Sequence, residues 1–213
     1  ERVHEEVHQV LVQRRIDVTF ATALRAILRQ DPDVVMVGEI RDPETAAMAV
    51  QAALTGHLVF TTLHTNDTAS TITRLLDLGV EPFLLGSTLV GVMAQRLVRR
   101  ICASCKTPTV LTREEIEILQ IKLPPRANKS LPVHYGAGCI RCRSTGYYGR
   151  DGVFELLEVD DTIRRLISQQ ASAPEIRKAA RANGMMSLRE CAIKKLAQGI
   201  TTFEEVLSVS ADD

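Results

Sequence analysis

The stretch that most constrains the fold of this chain is a short apolar run that ends in a glycine and a glutamate. Its four residues, Val34–Val37, are followed by Gly38 and Glu39, and Asp31-Pro32 and Asp42-Pro43 lie on either side. An uninterrupted apolar run of this length, bounded by turn residues, predicts a strand that is buried on both faces, as in a parallel sheet.

Helix and strand signals alternate around this run. Apolar spacing and capping residues predict helices over residues 19–30, 46–54 and 67–77, and a second buried strand over residues 58–63. Strand, helix, strand and helix in this order imply parallel crossover connections and therefore an α/β fold. A partly alternating stretch at residues 8–13 predicts a further strand.

Two titratable residues follow neighbouring strands. Glu39 comes after the first strand and His64 after the second. Open α/β sheets bind ligands at the carboxyl ends of their strands, so the pair predicts a site. Glu39 then corresponds to the magnesium-facing Walker B carboxylate of a nucleotide hydrolase. The alternative is a charged residue that ends a strand at the surface.

Arg25 and Arg29 lie four residues apart on the first predicted helix and therefore share a face. One interpretation is that they bind a phosphate in this subunit or in a neighbouring one. The other is an ordinary solvated helix face.

Glu81-Pro82 predicts the start of a long amphipathic helix over residues 83–100. Arg96, Arg99 and Arg100 would then lie at its C-terminal end, where positive charge is favourable.

Two Cys-x-x-Cys pairs, 33 residues apart, carry the strongest metal signal in the chain. Two such pairs on tight loops present four thiolates to a tetrahedral zinc ion, and four thiolates leave no open position for catalysis. Two disulfides or isolated core thiols are the alternative. A helix after Thr112 is expected between the pairs, and Cys191 is expected in a core. The predicted zinc ligands are Cys102, Cys105, Cys139 and Cys142.

The C-terminal part of the chain is predicted to be a scaffold. A strand is predicted over residues 152–157, and three capping boxes follow it, at Ser172 with Glu175, Ser187 with Glu190, and Thr202 with Glu205.

Composition limits the classes of partner. The chain of 213 residues has 26 basic and 26 acidic residues, and only 4% of it is aromatic. Such a composition does not favour nucleic acid, and no apolar run approaches the roughly 18 residues that span a bilayer. No secretory leader is visible. A zinc-ribbon interaction or nucleic-acid-binding module on an α/β scaffold is nevertheless the rival hypothesis.

The phosphate-binding loop Gly-x-x-x-x-Gly-Lys-Ser/Thr does not occur among the 213 residues. A nucleotide hydrolase built on Glu39 needs that loop to hold its phosphates. The expectation is therefore a fragment that alone neither binds ATP tightly nor hydrolyses it.

Several segments together resemble the ATPases of type II secretion and type IV pilus assembly. Residues 24–33 and 37–42 resemble the Walker B region of that family, and residues 55–66 resemble its histidine box. Residues 94–97, the two cysteine pairs, and residues 146–150 and 198–202 continue the resemblance over almost the whole chain.

The resemblance implies a hexameric, cytoplasmic ATPase that is peripheral at the inner membrane and uses ATP, Mg²⁺ and Zn²⁺. Residues 1–100 would form the second part of a RecA-like P-loop core, residues 101–150 a four-cysteine zinc subdomain, and residues 151–213 a small helical subdomain. The N-terminal domain and Walker A are missing from the pattern, and Glu1 would be the last residue of the family's aspartate box.

The resemblance also implies residue roles. Glu39 would hold Mg²⁺ through water and sense the γ-phosphate, while His64 would face the phosphates or the subunit boundary. Arg25 and Arg29 become candidate interface or phosphate-reading residues, with Arg41 a weaker candidate and His57 a residue that orients the histidine box.

The implied partners are five further copies of the chain, an inner-membrane platform protein and the cytoplasmic domain of a linker protein. Pilus retraction motors lack the cysteine subdomain, so the cysteines favour secretion or pilus assembly and do not separate the two.

Overall fold

The computed structural model describes residues 7–121 and 131–210. These residues pack into two compact units. The first contains residues up to 92 together with residues 158–180, and the second contains residues 93–157 and those from 181 onwards. The predicted end of the aspartate box at Glu1 lies outside the described residues.

The first unit is built around two parallel strands. Strands β1 (Val34–Val37) and β2 (Leu58–Thr61) pair in parallel, with Val35 opposite Val59. Helix α2 (Pro43–Leu54) connects them, which confirms the predicted crossover. The other helices that lie wholly in this unit are α1 (Phe20–Ile27), α3 (Thr68–Asp77), α4 (Pro82–Thr88) and α6 (Asp161–Ser168).

Local capping explains where the first helices start. Thr19 Oγ1 accepts a hydrogen bond from the Thr22 amide at the start of α1. Asp42 caps α2 and Asp67 caps α3 in the same way, each through a side-chain oxygen. These contacts satisfy amides that have no partner within the helix. The predicted helices are therefore confirmed.

The prediction that β1 is buried on both faces is wrong for the described residues. Val35 and Val37 are buried beside Leu24, whereas Val34 and Met36 are exposed, Met36 by 74%. On β2, Leu58 and Phe60 are exposed as well. Side chains alternate along a strand, so only one face of this pair is covered. We call Val34, Met36, Leu58 and Phe60 the apolar sheet face.

The predicted strand at residues 8–13 is also wrong. Within the described part of the chain, that stretch makes only an isolated antiparallel bridge between Gln13 and Val18. Alternating residues form a stable strand only when neighbouring strands complete the backbone hydrogen bonds and bury one face.

The long helix predicted over residues 83–100 is wrong. Helix α4 ends at Thr88, and residues Gly91–Ile101 form strand β3 instead. Val92 and Val98 are buried while Met93 and Leu97 are exposed, which is the two-residue period of a strand. The interpretation that Arg96, Arg99 and Arg100 stabilise a helix C-terminus is therefore wrong as well.

The second unit contains most of the remaining strands. Strand β3 pairs with β6 (Tyr147–Glu158), and β4 (Lys106–Leu111) pairs antiparallel with β5 (Leu131–Gly136). The predicted helix after Thr112 is α5 (Arg113–Ile118). Helices α8 (Leu188–Ala197) and α9 (Phe203–Ser210) also lie in this unit, whereas α7 (Ala173–Ala182) lies mostly in the first.

Two of the three predicted capping pairs have the expected contacts. Glu190 accepts from the Ser187 amide at 3.1 Å, and Glu175 accepts from the Ser172 amide at 2.9 Å. The third prediction is wrong. Glu205 instead accepts from the backbone amide of Arg99 at 2.6 Å and from its guanidinium at 2.9 Å.

This contact of Glu205 belongs to a network that joins three elements of the second unit. The Arg99 guanidinium stacks on the Tyr147 ring at 4.0 Å, and the Tyr147 hydroxyl lies 2.9 Å from Thr202 Oγ1. The network thus connects β3 and β6 to α9.

We expect Glu205→Ala to lower the free energy of unfolding by about 2–3 kcal/mol, because it leaves the Arg99 amide without its acceptor and removes a charged hydrogen bond. Urea unfolding of the purified chain measures the change. Glu204→Ala, at an exposed position next to it, is the matched control and should cost well under half of that. Equal losses for the two variants would contradict a structural role for the network.

None of the described helices combines the length and apolar character needed to cross a bilayer.

Candidate functional site

The carboxyl ends of β1 and β2 are held together by hydrogen bonds beyond the strands themselves. The Ile40 amide donates to the Thr62 carbonyl at 3.0 Å, and Thr62 Oγ1 donates to the Gly38 carbonyl at 2.6 Å. Glu39 and His64 leave the sheet at this edge. Their nearest atoms, Glu39 Oε2 and His64 Nε2, are 3.2 Å apart.

Glu39 is held by two basic side chains. Arg41 Nε lies 2.5 Å and His64 Nε2 3.2 Å from the same carboxylate oxygen. Partial burial would raise the pKa of Glu39, but the hydrogen bonds and charges of Arg41 and His64 outweigh it and keep that pKa below its ordinary value. The Glu39 side chain is 21% exposed and that of His64 83%. The carboxylate is therefore ionised and accessible at neutral pH.

A cavity of about 200 Å³ opens beside this carboxylate. It is lined by two arginines, a histidine and two apolar residues: Ile40, Arg41, Leu63, His64 and Arg74. Guanidinium and imidazole groups around one cavity suit an anion with several oxygens, such as a phosphate. Sequence reasoning missed Arg74, which lies in the last turn of α3 and has no local motif around it.

Asp67, three residues after His64, caps α3 and pairs with Arg177. The Asp67 carboxylate accepts from the Ser70 amide at 2.9 Å and lies 2.8 Å from Arg177 Nη2. Burial would raise the pKa of Asp67, but the bonds from Ser70 and the charge of Arg177 outweigh it and lower that pKa. The pairing with Arg177 could not be foreseen, because the two residues are far apart in sequence.

The other predicted site residues lie outside this cluster. Arg25 Nη2 is 3.6 Å from Glu44 on α2, and Arg29 lies in the 3₁₀ turn that follows α1. Among the described contacts, neither arginine reaches Glu39 or His64. His57 Nδ1 lies 2.9 Å from the Ala52 carbonyl, so this histidine closes the end of α2.

The four predicted zinc ligands form one cluster in the second unit, with all four Sγ atoms within 4.8 Å of one another. The separations are 3.8 Å for Cys102–Cys139, 3.9 Å for Cys105–Cys142 and 3.7 Å for Cys139–Cys142. A tetrahedral ion with Zn–S bonds of about 2.3 Å requires sulfur separations of about 3.8 Å. The cluster therefore fits zinc.

Backbone donors around the sulfurs also fit bound thiolates. The amides of Cys139 and Gly146 donate to Cys142 Sγ at 3.2 and 3.3 Å. Desolvation would raise the pKa of Cys142, but these amides and the neighbouring thiols lower it to about 6. Desolvation and the hydrogen bonds with the neighbouring thiols raise the pKa of Cys105. Amide donors to a sulfur stabilise its deprotonated form, which is the form that binds a metal.

Two glycines allow the cysteine loops to approach each other. A Cβ atom on Gly136 would lie 2.0 Å from the Gly146 carbonyl oxygen, and Gly146 itself has φ +78°. The same carbonyl accepts from the Cys102 amide at 2.9 Å. Cys191 lies apart from this cluster, with its sulfur 3.5 Å from the Phe154 amide.

Comparison with known proteins places this chain in a family. The model of the type II/IV secretion system protein family matches residues 1–208. The type II secretion system protein HxcR of Pseudomonas aeruginosa is 52% identical over 206 residues, which is 97% of this chain and 39% of that protein. The type IV pilus assembly ATPase PilB of Thermus thermophilus is 52% identical over 202 residues, which is 95% of this chain and 22% of that protein.

A solved structure is similar over the same range. The pilus retraction motor PilT with bound ADP superposes with a TM-score of 0.62 and 30% identity, covering 91% of this chain and 44% of PilT. The predicted α/β class is thereby confirmed as an α/β ATPase fold. The chain spans less than half the length of each of these proteins, and the match to residues 1–208 shows that it belongs to the type II/IV secretion system protein family.

Proposed function

We propose that the protein carrying this chain is an ATPase that hydrolyses ATP to drive type II protein secretion or type IV pilus assembly. The observation that carries the proposal is the meeting of Glu39 and His64 at one sheet edge, beside a basic cavity, in a chain of this family. Its relatives include a type II secretion protein and a type IV pilus assembly ATPase.

In this proposal Glu39 holds Mg²⁺ through a water molecule, and the cavity takes the terminal phosphates of ATP. Bound Mg²⁺ supplies charge neutralisation on the phosphate oxygens. Arg41, His64 and Arg74 provide hydrogen-bond donors for the same oxygens. Attack of water on a phosphoryl group depends on positioning and on charge, and these are what the side chains supply.

We further propose a RecA-like core, of which residues 1–100 form the second part, followed by a zinc subdomain at residues 101–150 and a helical subdomain at residues 151–213. The apolar sheet face (Val34, Met36, Leu58 and Phe60) supports this layout. Parallel sheets bury both of their faces, so an exposed apolar face indicates that further elements cover it. The greater length of the relatives is consistent with such elements, which would include the phosphate-binding loop.

We propose that the protein is a homo-hexamer in which Arg25 or Arg29 acts across the subunit interface. Arg25 is half exposed and lies against Glu44, on a different element from Glu39. A role toward a neighbouring subunit's phosphate accounts for this position better than a role within the subunit. The further partners would be an inner-membrane platform protein and the cytoplasmic domain of a linker protein, with the hexamer in the cytoplasm and peripheral to the inner membrane.

The zinc ion in this proposal is structural. Cys102, Cys105, Cys139 and Cys142 provide a full set of four ligands, which leaves no position for water or substrate.

The experiment is a subunit-mixing assay on the full-length protein. We expect Mg²⁺-dependent ATP turnover by a hexamer, and large losses in homogeneous Arg25→Ala and Glu39→Gln hexamers. If Arg25 acts in trans, hexamers mixed from the two variants regain turnover, because some interfaces then join an intact Arg25 to an intact Glu39. Arg29→Ala is tested in the same way, and Arg113→Ala, an exposed arginine paired on its own helix, is the control.

An absence of Mg²⁺-dependent turnover in the full-length hexamer would overturn the proposed function. Mixed hexamers that form but stay inactive would contradict only the role of these arginines across the interface.

A further inference from the structure

The ion pair of Asp67 with Arg177 lies within the part of the chain that carries two basic residues of the candidate site. Asp67 Oδ2 is 2.8 Å from Arg177 Nη2 on α7, and the Asp67 side chain is only 10% exposed. His64 comes shortly before Asp67 in the sequence, and Arg74 comes after it on α3. Both line the cavity beside Glu39. We call residues 64–77 the site segment.

Capping of α3 does not by itself require a buried charge at residue 67. Thr19 and Ser187 cap other helices of this chain with a hydroxyl alone. The Asp67 carboxylate accepts from the Ser70 amide at 2.9 Å and from the Ser70 hydroxyl at 2.7 Å, and it also reaches Arg177. Removing a carboxylate from water costs free energy unless a cation and hydrogen bonds compensate it. The charge therefore points to a role beyond capping.

Hydroxyl contacts join the residue after His64 to the start of α3. Thr65 Oγ1 lies 2.6 Å from Thr71 Oγ1, and the Thr71 hydroxyl donates to the Asp67 carbonyl at 3.0 Å. Asp67 and Thr71 are both buried. The His64 ring is mostly exposed, so its position depends on the backbone that carries it. A shift of Asp67 would therefore move Thr65 and, with it, His64.

Helix α7 holds Arg177 in a defined position. Ile176, next to Arg177, and Ala180, about one turn further along the helix, are both buried. At the start of α7, Glu175 accepts from the Ser172 amide at 2.9 Å. Arg177 therefore extends from a helix that is both packed and capped.

We propose that Arg177 is a positioning residue for the candidate ATP site and acts through Asp67 on His64 and Arg74. The ion pair fixes the start of α3 and the loop before it, so that both basic groups meet the phosphates in the cavity. Donors that are arranged in advance need no reorganisation when the reaction occurs. This inference rests on the proposed ATPase function, and it gives α7 a part in the site, although the sequence alone predicts a scaffold.

Variants of the full-length protein that remove the charge of either partner test the inference. Asp67→Asn keeps an oxygen for the Ser70 amide, since asparagine caps helices about as well as aspartate, and Arg177→Gln keeps a polar side chain. We expect each variant to raise the KM for ATP about 5-fold and to lower kcat/KM about 10-fold or more, because displaced donors bind the phosphates less well. Steady-state turnover at saturating Mg²⁺ measures both constants.

The value of KM separates positioning from a loss of fold. A variant that is only partly folded has a lower apparent kcat, because fewer molecules are active, but its KM does not change. Asp161→Asn and Arg164→Gln are the matched controls, since they break an ion pair on α6 in which Asp161 is almost fully exposed. They should leave KM and kcat/KM unchanged.

The double variant that combines Asp67→Asn with Arg177→Gln completes a mutant cycle. If Arg177 acts through Asp67, the double variant should have about the same KM as either single variant, because the second change removes nothing further. An unchanged KM in the single variants, or effects that multiply in the double variant, would overturn the inference.

A titration with a fluorescent ATP analogue makes the same comparison of affinities without turnover. Affinity should fall about 5-fold in each single variant and no further in the double variant. An unaltered protein that binds the analogue but does not hydrolyse ATP would overturn the proposed function, and the titration would still decide whether Asp67 and Arg177 position the site.

Discussion

Removal of zinc should destabilise this chain more than any single substitution outside the cysteine cluster. Structural zinc sites contribute about 10–16 kcal/mol of apparent binding free energy, and in small domains much of this is folding free energy. Here the four sulfurs join two loops around a backbone contact at Gly136 and Gly146. Without the ion, no bond links the sulfurs of the two loops, and the loops would separate.

We therefore expect the purified chain to hold about one zinc ion, and chelation to lower its melting temperature by about 10 °C or more. Elemental analysis and thermal unfolding, each with and without chelator, make the measurement. Cys142→Ser should reproduce the loss of both zinc and stability, because Cys142 Sγ also accepts the amides of Cys139 and Gly146.

Cys191→Ser is the matched control for that variant. Cys191 is half-buried and outside the cluster, so its replacement should keep the zinc and cost about 1 kcal/mol or less. A chain that is purified without zinc, or whose melting temperature does not respond to chelation, would show that the cysteines pack as thiols instead.

The features that could be predicted from the sequence are those set by neighbouring residues. The cysteine cluster follows from two local spacings, and the starts of α2 and α3 follow from caps at Asp42 and Asp67. The strand at Val34–Val37 and its parallel partner also have local signals. In each case the interaction that decides the structure lies within a few residues.

The features that could not be predicted depend on contacts between residues that are far apart in sequence. The segment Gly91–Ile101 has apolar residues that suit a helix or a strand, and its pairing with Tyr147–Glu158 makes it a strand. Glu205 has the spacing of a capping box, but Arg99 offers it a backbone donor and a charge together. The sequence of a single segment does not show which of its residues will bind a distant partner instead of a local one.

In the candidate site, too, some residues could be predicted from their own segment and others could not. Glu39 and His64 are predictable, because parallel strands bring their carboxyl ends to one edge. The closeness of Arg41 to Glu39 has a weaker signal, since residues two apart on an extended chain lie on the same side. Arg74 comes from a helix whose rotation depends on its packing, and nothing in its own segment points to the cavity.

Glu39→Gln should lower the ATP turnover of the full-length protein about 100- to 1000-fold. The change keeps the size of the side chain and removes the negative charge that would hold Mg²⁺, and the loss of one electrostatic group at a reacting phosphate has an effect of this order. Nucleotide affinity should fall much less, because the phosphates keep the donors of Arg41, His64 and Arg74. The expected signature is a large fall in kcat with a small change in KM.

Asp33→Asn is the matched control, because Asp33 is an exposed carboxylate at the opposite end of the same strand. It should keep near-normal turnover.

The pKa of Glu39 is held below its ordinary value, so its charge is complete at neutral pH and is lost only as the pH falls through that lowered pKa. The turnover of the Glu39→Gln and Asp33→Asn proteins should therefore depend on pH in the same way through the neutral range. Turnover by Glu39→Gln close to that of the Asp33→Asn control would show that the carboxylate at the end of β1 takes no part in holding the metal.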